Sequence, residues 1–186
     1  KNKTKEIQKL FSKTNINIIG LNSFSRIKNP IENGSTFQEN AKIKSIYGFE
    51  KFKKPCFADD SGICISALGG EPGIKSKRFI EKNGGLNKTF NKIIRKTNKE
   101  LDYKAYFHTC ISLTLDTKKT IIFEGRVYGR ISKDPKGRHG FHYDPIFIPK
   151  GFKKTFAQMT SLEKNKISHR SLAVKKLKKY LLRLYK

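Results

Sequence analysis

The chain has 186 residues, 36% of them apolar, with 14 Phe and 7 Tyr, enough to pack the core of one large domain and too apolar for low-hydrophobicity disorder. Its 41 basic and 15 acidic residues leave a formal charge of +26. No apolar run approaches the roughly 20 residues that span a bilayer, which excludes a transmembrane helix. Residues 1–10 are too polar for a secretory signal. Three cysteines with no C-x-x-C pair suggest neither a zinc knuckle nor a disulfide framework, and the simplest compartment is a reducing cytoplasm. The charge has two readings, an anionic partner or a lysine-biased composition. It comes from 33 Lys and only 8 Arg, spread end to end, so a specific nucleic-acid partner is not expected.

In chain order, Ile7, Leu10 and Phe11 lie at helical spacing within residues 3–13. Asn15–Leu21 is a short β-branched run that predicts a strand. Thr36-Phe-Gln-Glu39 is a capping box and predicts a helix over about Phe37–Phe49. Pro55–Ala58 and Gly62–Ala67 read as two short buried strands on either side of Asp59-Asp60-Ser61. Leu68–Gly73 is a turn-rich loop. Leu86, Phe90, Ile93 and Ile94 mark another helix. Tyr103–Leu115 alternates cleanly, and Thr120–Ile131 is a second long strand joined to it by an Asp116–Lys119 hairpin. Pro145–Ile148 reads as a short strand. Ile167, Val174, Leu177, Leu181 and Leu184 share a helical face at the C-terminus. Interleaved helices and strands, with the two longest strands antiparallel, point to a mixed-sheet α/β domain without internal repeats.

With only 15 carboxylates, acids in an apolar frame need a reason. In Phe57-Ala-Asp-Asp-Ser-Gly62 two acids end an apolar strand, and Gly62 lets the chain turn away. Adjacent strand residues point to opposite faces, so Asp59 and Asp60 need not act together. The pair serves either a hard-cation site, as Mg²⁺ is held by one or two carboxylates plus substrate phosphate oxygens, or an Asx-type turn. Glu32 is a loop acid that gains meaning only if its loop folds back onto Asp60. Gly140-Phe-His-Tyr-Asp-Pro-Ile-Phe147 sets two aromatics around His142, giving either a base-stacking platform or a strand-entry turn. Lys164 and Ser168 share a helical face. His169 and Arg170 then require either a break near Ser168 or a different part of a ligand. Adjacent residues cannot form a nucleophile triad, and the P-loop, Rossmann, nucleophile-elbow and zincin motifs are all absent.

The order of the motifs is more specific than any one of them. E-x-G-x-T-F-x-E-N-A-x-x-K (Glu32–Lys44), A-D-D-S-G (Ala58–Gly62), L-G-G-x-P-G-x-x-S-x-R (Leu68–Arg78), G-F-x-Y-D-P-I-F (Gly140–Phe147) and E-K-x-x-I-S-H-R (Glu163–Arg170) closely resemble the inosine triphosphate pyrophosphatase family over nearly the whole chain. The resemblance implies an elongated two-lobed α/β fold with the active site in the cleft between lobes, a homodimer and Mg²⁺ dependence. It implies hydrolysis of ITP, dITP and XTP to the monophosphate and pyrophosphate. Carried over by motif position, Asp60 is metal ligand and proton acceptor, Glu32 helps hold the metal, and Asp59 is a further candidate ligand. Lys44 and Lys164 contact phosphates, Ser61 lies in the substrate pocket, and Phe141, His142, Tyr143, Asp144, His169 and Arg170 hold the base. The family's T-x-N-x-x-K motif puts Lys3 on the motif lysine, with Lys5 the second choice, and its first strand upstream of Lys1. His142 departs from the family, which has Gly there. The competing readings are a pyrophosphatase for modified pyrimidine triphosphates and a basic nucleic-acid-binding module, whose affinity would fall steeply with salt.

Overall fold

The computed structural model describes residues 2–24 and 27–185, with the side chains of Asn2, Lys3, Lys5, Glu6 and Asn22 left aside. In chain order the elements are α1 (Asn2–Phe11), α2 (Phe37–Phe52), β1 (Cys56–Ile65), α3 (Ser76–Lys82), α4 (Leu86–Glu100), β2 (Lys104–Thr114), β3 (Thr120–Ile131), β4 (Phe147–Pro149), α5 (Ser161–Ile167) and α6 (His169–Leu184). The strands form one four-stranded sheet in the order β1-β2-β3-β4. Contacts divide the chain into two compact units. One holds residues 1–59, 110–124 and 171–186; the other holds 60–109 and 125–170. Strands β1, β2 and β3 each contribute to both.

The sheet is antiparallel and its register is legible in its contacts. Ile131 N–H donates to Tyr103 O and Leu115 N–H to Lys119 O, one at each end of the β2–β3 hairpin. The Tyr106 and Tyr128 rings meet between them at 5.5 Å. On the other side of β2, Ser61 pairs with Thr109 at 2.8 Å, and the Cys64 thiol pairs with Tyr106. β4 pairs with β3 with Gly129 opposite Pro149. β2 is buried at every position from Phe107 on, its polar alternate residues included.

In the first unit, Ile111 and Leu113 of β2 pack with Ile7 and Phe11 of α1 and with Ala173, Val174, Leu177 and Leu181 of α6. The alternate residues of β2 are small and polar. Ser45 of α2 lies against them, its hydroxyl 2.8 Å from Ser112 and 2.9 Å from Thr114. In the second unit, Ile63 and Ile65 of β1, Ala105 and Phe107 of β2, Phe90 and Ile93 of α4, and Phe147 and Phe156 form the core. The spacing of Thr89, Phe90, Ile93 and Thr97 puts the buried side of α4 on one stripe.

Four expectations are corrected. Residues 15–21 form no strand. They alternate in exposure as a strand would, but among the described residues no strand pairs with them, and Gly20 leads into a 3-10 turn at Leu21–Ser23. The two short strands around Asp59-Asp60-Ser61 are a single strand, β1, so the acids lie in mid-strand and the Asx-turn reading falls. Gly62 does not turn the chain. It is needed because a Cβ there would strike the Gly73 carbonyl and come 2.6 Å from Ser76 Oγ. The capping box at α2 is also shifted. Thr36 accepts from Glu39 N–H, but the Glu39 carboxylate closes on Ser35, at 2.7 Å from its N–H and 2.8 Å from its hydroxyl.

Candidate active site

In the first unit the loop before α2 is pinned to the helix's first turn. Asn40, fully buried, accepts the Gly34 N–H at 2.9 Å. A side chain at Gly34 would sit 2.8 Å from that same oxygen. This fixes the loop carrying Glu32, whose carboxylate lies 3.3 Å from Lys44 Nζ, two turns into α2. The predicted metal-holding acid and phosphate-contacting lysine are thus brought together as an ion pair. Asn40 came into the sequence argument only as a motif letter; its fully buried amide is the reason for its place there. Lys3 belongs to α1, and its side chain lies outside the described residues. Asp59 is half-buried.

In the second unit, Asp60 is 7% exposed in the middle of β1. A carboxylate so far out of water is costly unless charge or hydrogen bonding serves it. Ser61 follows it, its hydroxyl on Thr109. The edge of β1 just beyond is covered by the glycine-rich segment. Ile65 N–H donates to Glu71 O, Gly70 N–H to Ile65 O, and Ile63 N–H to Ser76 Oγ at 3.0 Å. An edge strand's alternate N–H groups need such partners.

The remaining predicted residues of this unit form one cluster. Helix α5 starts at a full capping box, with Thr160 and Glu163 serving each other's backbone N–H. It ends at Ser168, whose φ of −66° and ψ of 148° are extended. The break that the sequence left open is therefore real, and His169 and Arg170 open α6. His169 lies flat on Phe107, 4.6 Å between centroids and 7° from parallel. Lys164, with a side chain 9% exposed, reaches Asp144 Oδ2 at 2.6 Å. The same oxygen accepts the Phe141 N–H at 2.7 Å. The Phe141 ring has Lys164 Nζ 5.0 Å and the Arg170 guanidinium 5.5 Å from its centroid. Lys164, predicted at the phosphates, thus stands among the residues predicted to hold the base.

Two backbone features shape this loop. Gly140 has φ +79°, and a Cβ there would collide with the Asp144 carboxylate, so only glycine fits. His142 has φ +51°, in the left-handed region. That explains why the family pattern has Gly at this position. The exposed His142 ring stands edge-on to Phe141 at 5.2 Å. Tyr143, grouped with the base-holding residues by motif, is 1% exposed and packs in the core. Its hydroxyl donates to the Ser76 carbonyl at 2.8 Å, and burial holds the phenol pKa well above its usual 10, so it remains a donor. Phe107 and Ser76 are the residues that sequence reasoning missed. Phe107 carried only a strand signal, and Ser76 sat in a quoted motif without a role.

Taken unit by unit, Glu32 in the first and Asp60 in the second each present a hard carboxylate, the donor type that Mg²⁺ takes one or two at a time with phosphate oxygens and water. Among the described residues no group of three or more His, Cys, Asp or Glu is gathered. A hollow of about 630 Å³ lies in the second unit and is lined by Cys64, Tyr106, Tyr128, Ile148 and Phe152 among others. It includes none of the predicted site residues.

Residues 1–180 match the model of the Ham1 family. The chain is 41% identical over 184 residues to the dITP/XTP pyrophosphatase of Halalkalibacterium halodurans, covering 97% of this chain and 94% of that protein. The dITP/XTP pyrophosphatase of Christiangramia forsetii is 39% identical over 182 residues, with the same coverage. Among solved structures, a HAM1 protein from Coxiella burnetii aligns with a TM-score of 0.89 at 35% identity, covering 98% of this chain and 94% of that one. The Staphylococcus aureus Ham1 protein aligns at 0.87, also 35% identical, covering 97% and 93%.

Proposed function

The chain belongs to the Ham1 family, and from that premise we propose that it hydrolyses deaminated purine nucleoside triphosphates (ITP, dITP and XTP) to the monophosphate and pyrophosphate. The observation that carries the choice of a 6-oxo purine over adenine is the buried Asp144–Lys164 pair beside Phe141 and Arg170. A 6-oxo purine presents an N1–H donor next to an O6 acceptor. A carboxylate only accepts, and ammonium and guanidinium only donate, so Asp144 with Lys164 or Arg170 matches that edge. Adenine presents the reverse pattern and would leave buried polar groups unpaired, the condition under which a site rejects strongly. Lys164 acts at the base in this reading, and Lys44 acts at the phosphates.

For the chemical step, Asp60 accepts a proton from water as its oxygen bonds to the α-phosphorus. The bond from that phosphorus to the bridging oxygen breaks, and pyrophosphate leaves with the electron pair. By motif position Asp60 and Glu32 would hold Mg²⁺, with Asp59 a further candidate, and the ion would supply charge neutralisation on the triphosphate. Lys44 adds fixed positive charge where negative charge develops. Ser61 lines the pocket beside Asp60, Lys3 is the further phosphate contact, and His169 and His142 border the base. The family resemblance also supports a homodimer in the cytoplasm.

The test is pyrophosphate release from ITP, dITP and XTP beside ATP, GTP and dUTP, with Mg²⁺ and with excess chelator. Release confined to the deaminated purines and lost in chelator supports the reading. Equal release from ATP, or preference for dUTP, overturns it.

A further inference from the structure

The segment Leu68–Ser76 supplies no chemistry to the proposed reaction, yet its last residue touches both halves of the second unit's site. Ser76 is 6% exposed. Its hydroxyl donates to Gly73 O at 2.6 Å and accepts the Ile63 N–H at 3.0 Å. Ile63 is three residues after Asp60 on the same strand. The Ser76 carbonyl accepts the Tyr143 hydroxyl at 2.8 Å. Tyr143 stands directly before Asp144, whose carboxylate holds both Lys164 and the Phe141 N–H. Gly62 brings strand and turn together, because a Cβ there would come 2.6 Å from Ser76 Oγ. One buried serine therefore ties the strand bearing Asp60 to the loop bearing Phe141 and Asp144.

We propose that Ser76 and Tyr143 are positioning residues, a strap that holds the base-recognition loop in fixed register with the Asp60 strand and so sets purine selectivity. In this proposal both act through the loop they hold rather than by contact with substrate. A fixed loop makes adenine pay for its mismatched edge, whereas a loosened loop lets Asp144 and Lys164 shift and relieve that mismatch. The inference rests on the pyrophosphatase reading above.

Tyr143→Phe tests it, since it keeps the ring that fills the core and removes only the donor to Ser76. The readout is the ratio of kcat/KM for ITP to that for ATP, measured with enough enzyme to quantify ATP. A lower folded fraction scales both rates equally and cancels in this ratio. The expected result is a fall in the ratio of about tenfold, the size of one lost buried hydrogen bond. It appears as a higher KM for ITP with kcat per folded molecule kept. Ser76→Ala, which cuts the tie at Ile63, should lower the ratio in the same way and serves if Tyr143→Phe fails to fold. An unchanged ratio in either folded variant, whatever the loss of thermal stability, overturns the strap. Failure of the native protein to release pyrophosphate from ITP is a different outcome and overturns the function itself.

Discussion

His142 shows what one residue's backbone can reveal. Its φ of +51° costs an L-residue energy that glycine does not pay. His142→Gly should therefore stabilise the fold by about 0.5–1 kcal/mol, after allowing for glycine's looser unfolded chain. That corresponds to a thermal midpoint higher by roughly 1–4 °C. A lower midpoint would mean that the ring's contact with Phe141 outweighs the strain. The departure was visible in the sequence as a histidine in a glycine's place, but its consequence was not, because φ is fixed by the tight Gly140–Asp144 turn. Tyr143 is the opposite case. Its motif position suggested a ligand contact, and only the fold shows its hydroxyl turned to Ser76.

Among the elements, those with long periodic patterns were legible. β3 runs over Thr120–Ile131 as expected, β2 differs only at its ends, and α4 forms where Leu86, Phe90, Ile93 and Ile94 mark a helix. α3 was missed, because Ser-Lys-Arg-Phe-Ile-Glu-Lys is too short to show a period. β1 was split in two because acids and glycine depress strand propensity, whereas tertiary contacts decide its continuity. Gly62→Ala should cost about 3 kcal/mol, since the intruding methyl meets backbone that has no room to move. A denaturation midpoint equal to the parent's would rule out the close approach. The helix caps carry a pH dependence. Hydrogen bonds from Ser35 lower the Glu39 pKa below its usual 4.5, and those from Thr160 lower that of Glu163. A depressed carboxylate contributes stability that is fully present above the unfolded pKa and is lost as pH falls through the folded one. Thermal stability should hold down to about pH 4.5 and decline below it, and the double variant Glu39→Gln, Glu163→Gln should flatten that decline. An unchanged pH profile in the variant would remove the caps from the account.

For the whole molecule, the sequence was most informative through the order of its motifs and least through its charge. A net +26 fits a polyanionic substrate and a lysine-biased composition equally well. Separately, Asp60, Asp144 and Lys164 were an acid in a strand, an acid in a loop and a lysine on a helix. The fold pairs the last two at 2.6 Å beside Phe141 and buries the first. Sequence spacing could not supply that pairing, because the two residues lie on elements brought together by packing around Phe147 and Phe156 and by the hydrogen bond from His139 N–H to Ala157 O. The most direct test of the account is pyrophosphate release from dITP by the native protein and by Asp60→Asn, with ATP as the comparison substrate. The account predicts Mg²⁺-dependent release from dITP that greatly exceeds release from ATP, and a loss of at least about 100-fold in kcat when Asp60 can no longer accept a proton. Near-native turnover by folded Asp60→Asn, or equal turnover of ATP by the native protein, would contradict it.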